Sequence, residues 1–247
     1  MPPQSSQLPG AGLIRAYGRF LQRSAKIATG PAMRWMFGVD VEGLDRVPRR
    51  GPAIIAPNHL SFIDPLAVTL VVPRDVTYIG KAEYTDSWST RWFMELGGVI
   101  PVRREDAVAA EGSLAVGVDV LQAGHLLGIF PEGTRSPDGR IYKGKTGAAR
   151  MAAIVGCPII PTGIRGTQDV LPKDAKMPKI GVRVSVKFGQ PMRVPEGGSE
   201  DRGVLRALTD DLMQEIARLS GQEYRHRYSY TKKLGQPGPV APMNLFA

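Results

Sequence analysis

The chain has 247 residues, 43% of them hydrophobic, enough for one large domain or two small ones. Its single cysteine, Cys157, excludes an internal disulfide and a cysteine-rich metal site, and is compatible with a reducing compartment. A formal charge of +9 calls for an anionic partner: nucleic acid, a phospholipid surface or a phosphorylated metabolite.

Residues 1–10 are rich in Pro, Ser and Gln and are expected to be disordered. No compact apolar segment follows the first charges, so no secretory signal is expected. No apolar run reaches the ~18 residues of a spanning helix. From Ala11 to Phe37 the pattern is helical. Leu13, Tyr17, Phe20 and Leu21 form one stripe, and Arg15, Arg19, Arg23 and Lys26 cover the other side. Such a basic amphipathic segment either lies in a membrane surface or packs on its own domain. The chain divides into a disordered start (1–10), an amphipathic helical region (11–47), a main domain (48–221) and a basic, then Pro/Gly-rich, tail (222–247).

Beyond Pro52, short apolar runs read as strands: Ala53 to Ala56, Val76 to Gly80, Val99 to Val102, Leu126 to Phe130, Ile159 to Ile164 and Val182 to Phe188. Between most of them lie helical patterns, at Pro65 to Val72, Ser87 to Leu96, Ala107 to Ala123, Thr146 to Val155 and Glu200 to Leu219. This alternation predicts an α/β fold, with a central, mostly parallel sheet flanked by helices. The last run alternates apolar and polar residues, as an edge strand does.

Three polar segments follow strands directly: Asn58 to Asp64, Arg103 to Asp106 and Pro131 to Ser136. In open α/β sheets, ligands bind beyond the carboxyl ends of the strands. Parallel strands would therefore bring His59, Asp64, Arg103 or Arg104, Glu132 and Arg135 together. A neutral imidazole takes a proton from an attacking alcohol, and a carboxylate on its other nitrogen fixes the tautomer. The chain holds no G-x-S-x-G nucleophile elbow. A base and its orienting acid without an enzyme nucleophile point to a substrate hydroxyl as the nucleophile. Arginines suit a phosphate on that substrate, and Gly133 lets backbone approach a ligand. The pattern implies transfer of an electrophilic group, of open identity, to a phosphorylated alcohol.

These residues carry a resemblance. Asn58, His59, Ser61, Asp64 and Pro65 match N-H-x-S-x-x-D-P, and Phe130 to Ser136 match F-P-E-G-T-R-S. Gly98, Ile100, Pro101, Val102 and Arg104 match G-x-I-P-V-x-R. Ile159-Ile160-Pro161 matches an apolar block around proline, although Thr162-Gly163 replaces the commoner Val-Ala. In these blocks the chain resembles the glycerolipid acyltransferases typified by 1-acylglycerol-3-phosphate (lysophosphatidic acid) acyltransferase.

The resemblance implies transfer of a fatty acyl group from acyl-CoA or acyl-carrier protein to the sn-2 hydroxyl of lysophosphatidic acid. His59 would be the base and Asp64 its orienter. Arg104 and Arg135 would hold the phosphate. Glu132 would brace an arginine or bind the glycerol, and Gly133, Thr134 and Lys145 would complete the acceptor site. Backbone amides near Gly133 or the His59 turn are candidate oxyanion donors. No metal or redox cofactor is expected, because a thioester is already activated. The expected location is the cytoplasmic face of the cell membrane, held peripherally or monotopically against anionic lipid. Glycerol-3-phosphate, a lysophospholipid or a glycolipid headgroup are alternative acceptors. Ser61 as an acylated nucleophile is the rival mechanism. A nucleic-acid partner is not expected, since no nucleic-acid-binding signature accompanies the charge.

Overall fold

The central apolar runs form a sheet because each can bury both of its faces. The structure, a computed structural model, describes residues 38–81, 98–102, 107–172, 175 and 178–229. Ala53–Pro57 (β2) is buried at every position. It pairs in parallel with Leu126–Gly128 (β5) on one side and Ile159–Arg165 (β7) on the other. Val76–Lys81 (β3) continues the sheet beyond β5, and Val99–Val102 (β4) follows β3, both in parallel. Continuous Ile/Val/Leu/Ala runs suit such strands, which meet helices above and below.

Beyond β7 the direction reverses. Ser185–Phe188 (β8) runs antiparallel to β7, and Asp40–Glu42 (β1) lies parallel to β8 at the margin. The alternation of β8 predicts an edge strand, but β1 covers it. Residues 38–47, grouped by sequence with the N-terminal helical region, instead supply β1 and a short 3-10 turn at Leu44–Arg46. The seven-stranded order is β1-β8-β7-β2-β5-β3-β4. A separate parallel pair joins Ile141–Tyr142 (β6) to Tyr224–Arg225 (β9), so the tail through Ser229 begins as packed structure. The amphipathic segment before residue 38, the predicted helix at Ser87 to Leu96 and the tail beyond residue 229 lie outside the described residues.

Helices cover both faces. Asp64–Val71 (α1) packs on the cluster of Ala53, Ile55, Tyr78 and Ile160. Ala107–Gln122 (α2), Gly147–Val155 (α3) and Arg202–Ser220 (α5) cover the opposite face with Ile54, Ala56, Leu127 and Ile159. A one-turn helix, Thr167–Val170 (α4), follows β7. Asp201 starts α5 by accepting from the amides of Gly203 and Val204.

The end of α5 lies directly on β7. A Cβ on Gly163 would fall 2.6 Å from the backbone carbon of Leu219 and 2.6 Å from the Ser220 nitrogen. Glycine at this position is therefore a packing requirement, and it accounts for the departure from the commoner alanine. Gly163→Ala is expected to destabilise the protein by about 1–3 kcal/mol, because backbone rather than a flexible side chain must move. Urea denaturation measures this. An unchanged midpoint would show that α5 does not press on the strand.

Candidate active site

β2 ends at Pro57, and the next residue anchors the turn. Asn58 is 1% exposed. Its Nδ2 donates to the Ile164 carbonyl at 2.8 Å, and its Oδ1 accepts from the Ile164 amide at 2.6 Å. The side chain thus extends the β2–β7 ladder by one rung. Nδ2 also donates to Gln222 Oε1 at 2.6 Å, tying the residues after α5 to the same point.

His59 follows. Its Nδ1 lies 2.8 Å from Asp64 Oδ2. That oxygen also accepts from the amides of Leu60 at 2.6 Å and Ser61 at 2.8 Å. Asp64 is the first residue of α1 and is 0% exposed, so its charge rests on these three donors. Bound to a carboxylate, Nδ1 holds the proton and Nε2 is left as the basic nitrogen.

The Pro131 to Ser136 loop clamps the same residue. The His59 carbonyl accepts from the Ser136 amide at 2.8 Å, and the His59 amide donates to Glu132 Oε1 at 3.4 Å. Glu132 Oε2 accepts from the Tyr142 amide at 3.0 Å. The Phe130 ring stacks on the imidazole, with centroids 3.9 Å apart and planes 18° from parallel. Four groups therefore hold one histidine, yet 18% of its side chain remains exposed.

Gly133 turns the loop with φ +73°, and its N–H donates to Phe130 O at 3.0 Å. Lys145 lies over it: a Cβ on Gly133 would come within 3.1 Å of Lys145 Nζ. Thr134 and Arg135 follow, both half-buried. The structure thus brings His59, Asp64, Glu132, Gly133, Thr134, Arg135 and Lys145 to one edge of the sheet. Arg103 and Arg104 lie outside the described residues. Their strand, β4, ends on that edge but stands two strands beyond β5, ~10 Å away at ~4.8 Å per strand. Four of the candidate oxyanion donors are already engaged: the amides of His59, Leu60, Ser61 and Gly133 donate within the protein.

Sequence reasoning missed two supports. Asn58 was legible only as part of a motif, although a lone amide closing an apolar strand is itself a signal. Gln222 carried no signal, because its partner is 164 positions away. Ser61 is 2% exposed, and its Oγ donates to Leu171 O at 3.1 Å. Burial pushes the Cys157 thiol up to about 11, so it is inert as a nucleophile.

Fold and site together define an α/β protein with a histidine–carboxylate base at the carboxyl edge of its sheet. The chain belongs to the acyltransferase family, whose model matches residues 38–165, just over half of it. A chloroplastic 1-acyl-sn-glycerol-3-phosphate acyltransferase of Arabidopsis thaliana is 31% identical over 60% of the chain and 42% of its own length. The chain thus spans less than half of that relative. The alpha form of the same enzyme from Ovis aries is 27% identical over 83% of the chain and 72% of its own length. The crystal structure of the 1-acyl-sn-glycerophosphate acyltransferase PlsC from Thermotoga maritima shares the fold. Its TM-score is 0.63 at 23% identity, over 85% of this chain and 88% of that one.

Burial raises the Glu132 carboxyl to about 7, against the opposing pull of the Tyr142 and His59 amides. A carboxyl raised on folding favours the folded state at acid pH. Below its ordinary value of 4.5 it adds no penalty; as pH climbs through about 7 the penalty grows to about 3 kcal/mol. The natural chain should therefore lose stability between about pH 5 and about pH 8, and Glu132→Gln should flatten that slope. The variant should also weaken the clamp on His59, since its NH2 must face one of two backbone donors. Chemical denaturation at several pH values measures the slope. Equal slopes in both proteins would remove Glu132 as the cause.

Proposed function

We propose that the protein moves a fatty acyl group from acyl-CoA or acyl-carrier protein to the sn-2 hydroxyl of lysophosphatidic acid, yielding phosphatidic acid. The observation that carries this reading is the 2.8 Å contact of His59 Nδ1 with a fully buried Asp64, which reserves Nε2 for a substrate proton. The names of the relatives point to the same acceptor.

Nε2 takes the hydroxyl proton as the acceptor oxygen attacks the thioester carbonyl carbon. The carbon–oxygen bond forms, and the tetrahedral intermediate carries the negative charge on the former carbonyl oxygen. The carbon–sulfur bond then breaks, and the imidazolium returns its proton to the departing thiolate. Asp64 stabilises the imidazolium between the two transfers. Arg135, Lys145 and Arg104 supply the cationic contacts for the acceptor phosphate, with Gly133 and Thr134 shaping the turn between them. Glu132 serves the acceptor site by holding this loop against His59. The chemistry calls for no metal or redox cofactor. The burial of Ser61 and its bond to Leu171 favour a substrate hydroxyl over an acylated serine.

The acceptor is a lipid, so its source is a bilayer surface. No helix of the described residues is long and apolar enough to cross a membrane. Lys143 Nζ lies 5.7 Å from the ring centre of Tyr228, whose side chain is prominent at 53% exposure. A cation beside an exposed aromatic suits an anionic lipid interface. We infer a peripheral or monotopic location at the cytoplasmic face of the cell membrane.

Two experiments test this reading. His59→Ala should cut acyl transfer by ~10²- to 10⁴-fold, while flotation with anionic liposomes stays unchanged. Near-normal turnover in that variant would overturn the base assignment. Arg135→Ala should weaken acceptor affinity by ~10- to 100-fold and leave the acyl-donor KM nearly unchanged. A panel of phosphorylated and unphosphorylated acceptors with one labelled acyl-CoA, read by product mass, checks it. Equal losses across the panel would remove the phosphate from the argument.

A further inference from the structure

Asp64 is served unevenly. Its Oδ2 takes three hydrogen bonds, but its Oδ1 is buried without a partner. A second polar atom in the same condition is the Tyr78 hydroxyl. Buried polar atoms are rarely left so, and ordered water joins those that no protein group reaches.

The two residues belong to one assembly. Tyr78 stands opposite Gly128 in the β3–β5 pairing, and Gly128 stands opposite Ile55 in β2. A Cβ on Gly128 would fall 2.2 Å from Tyr78 Cε1, so the tyrosine ring lies across that backbone. Only glycine there leaves room for it. Ile55, Val68, Val71 and Tyr78 share one apolar cluster, which sets the tyrosine beneath α1, the helix that opens at Asp64. The ring also packs on Phe130, with centroids 5.6 Å apart, and Phe130 stacks on His59. A phenylalanine would fill this space as well. Burial, and then the charge of Asp64, push the hydroxyl far above its ordinary value, so it stays a donor at every working pH.

The geometry points to Tyr78 as a positioning residue for the His59–Asp64 pair, its hydroxyl donating through one buried water to Asp64 Oδ1. Its catalytic consequence rests on the acyl-transfer reading of the site; the contact itself does not. The hydroxyl lowers the charge that Asp64 offers to the imidazole and fixes the carboxylate plane. Of the other groups facing His59, Glu132 bonds the backbone amide rather than the ring and itself feels the Asp64 charge, so the comparison is repeated in a Glu132→Gln background.

Tyr78→Phe tests this, because it keeps the ring on Gly128 and removes only the hydroxyl. The primary readout is NMR titration of the histidine Cε1 protons in the substrate-free protein, with His125 and His226 as internal references. The His59 titration should move upward by about 0.5 to 1 pH unit, since a carboxylate with one donor fewer holds the imidazolium more tightly. Where acyl transfer is measured, kcat should fall about tenfold with KM unchanged, and its acid limb should follow the same shift. A purely structural tyrosine predicts the reverse: deleting an unpartnered hydroxyl would raise the melting temperature and leave His59 where it was. That result would overturn the inference. Absence of acyl transfer in the natural chain would sink the functional reading alone, because the titration does not depend on turnover.

Discussion

A single carboxylate oxygen organises this site. Asp64 Oδ2 gathers the His59 ring and two successive amides of the turn that carries the ring. Removing an ionised carboxylate from water is costly unless donors replace the water. The Asn58 to Asp64 turn is wound so that they do. The same closure that satisfies the charge orients the imidazole, so folding of the turn and tautomer selection are one event. The one-turn spacing between His59 and Asp64 follows, because a longer segment could not return both amides and the ring to one oxygen.

The sheet order explains which loops share this site. β2 and β5 are neighbours, so the turn after β2 and the loop after β5 meet through backbone bonds on both sides of His59. β4 ends on the same edge but is separated from β5 by β3. The ends of β2 and β7 are stitched by Asn58 instead of by further ladder bonds. An amide side chain lets the main chain leave the sheet while the pairing continues for one more position.

The parallel core was legible because burial on both faces leaves a plain mark. β2, β3, β5 and β7 are apolar runs, and their helices start or stop within about two residues of the periodic pattern. β1, β6 and β9 were not legible. Each has two or three residues, and each is specified by partners far along the chain: Asp40 pairs with Ser185, and Ile141 with Tyr224. The supposed edge strand was misread for that reason, since nothing local to Ser185–Phe188 announces its cover. In the site, the His59–Asp64 pair was legible because acid and base lie within one turn. The supports around Asn58 were not: Ile164 acts through a backbone carbonyl and amide that any residue could supply, and the Gln222 side chain comes from 164 positions away.

Glu132 shows how a motif can hide a division of labour. In the sequence it is an acid between a proline and a glycine, close to an arginine, and it reads as a brace for that arginine or a group aimed at a ligand. In the fold it is 5% exposed and spans from the His59 amide to the Tyr142 amide. The Phe130 to Ser136 segment therefore has two halves. Phe130 and Glu132 turn inward and hold the histidine by its ring and its backbone. Gly133 reverses the chain with a positive φ, and from there come the half-buried Thr134 and Arg135, with Lys145 over the turn. A glycine at the hinge is what allows neighbouring residues to serve opposite directions. The rigid half fixes the distance from the base to the cationic half.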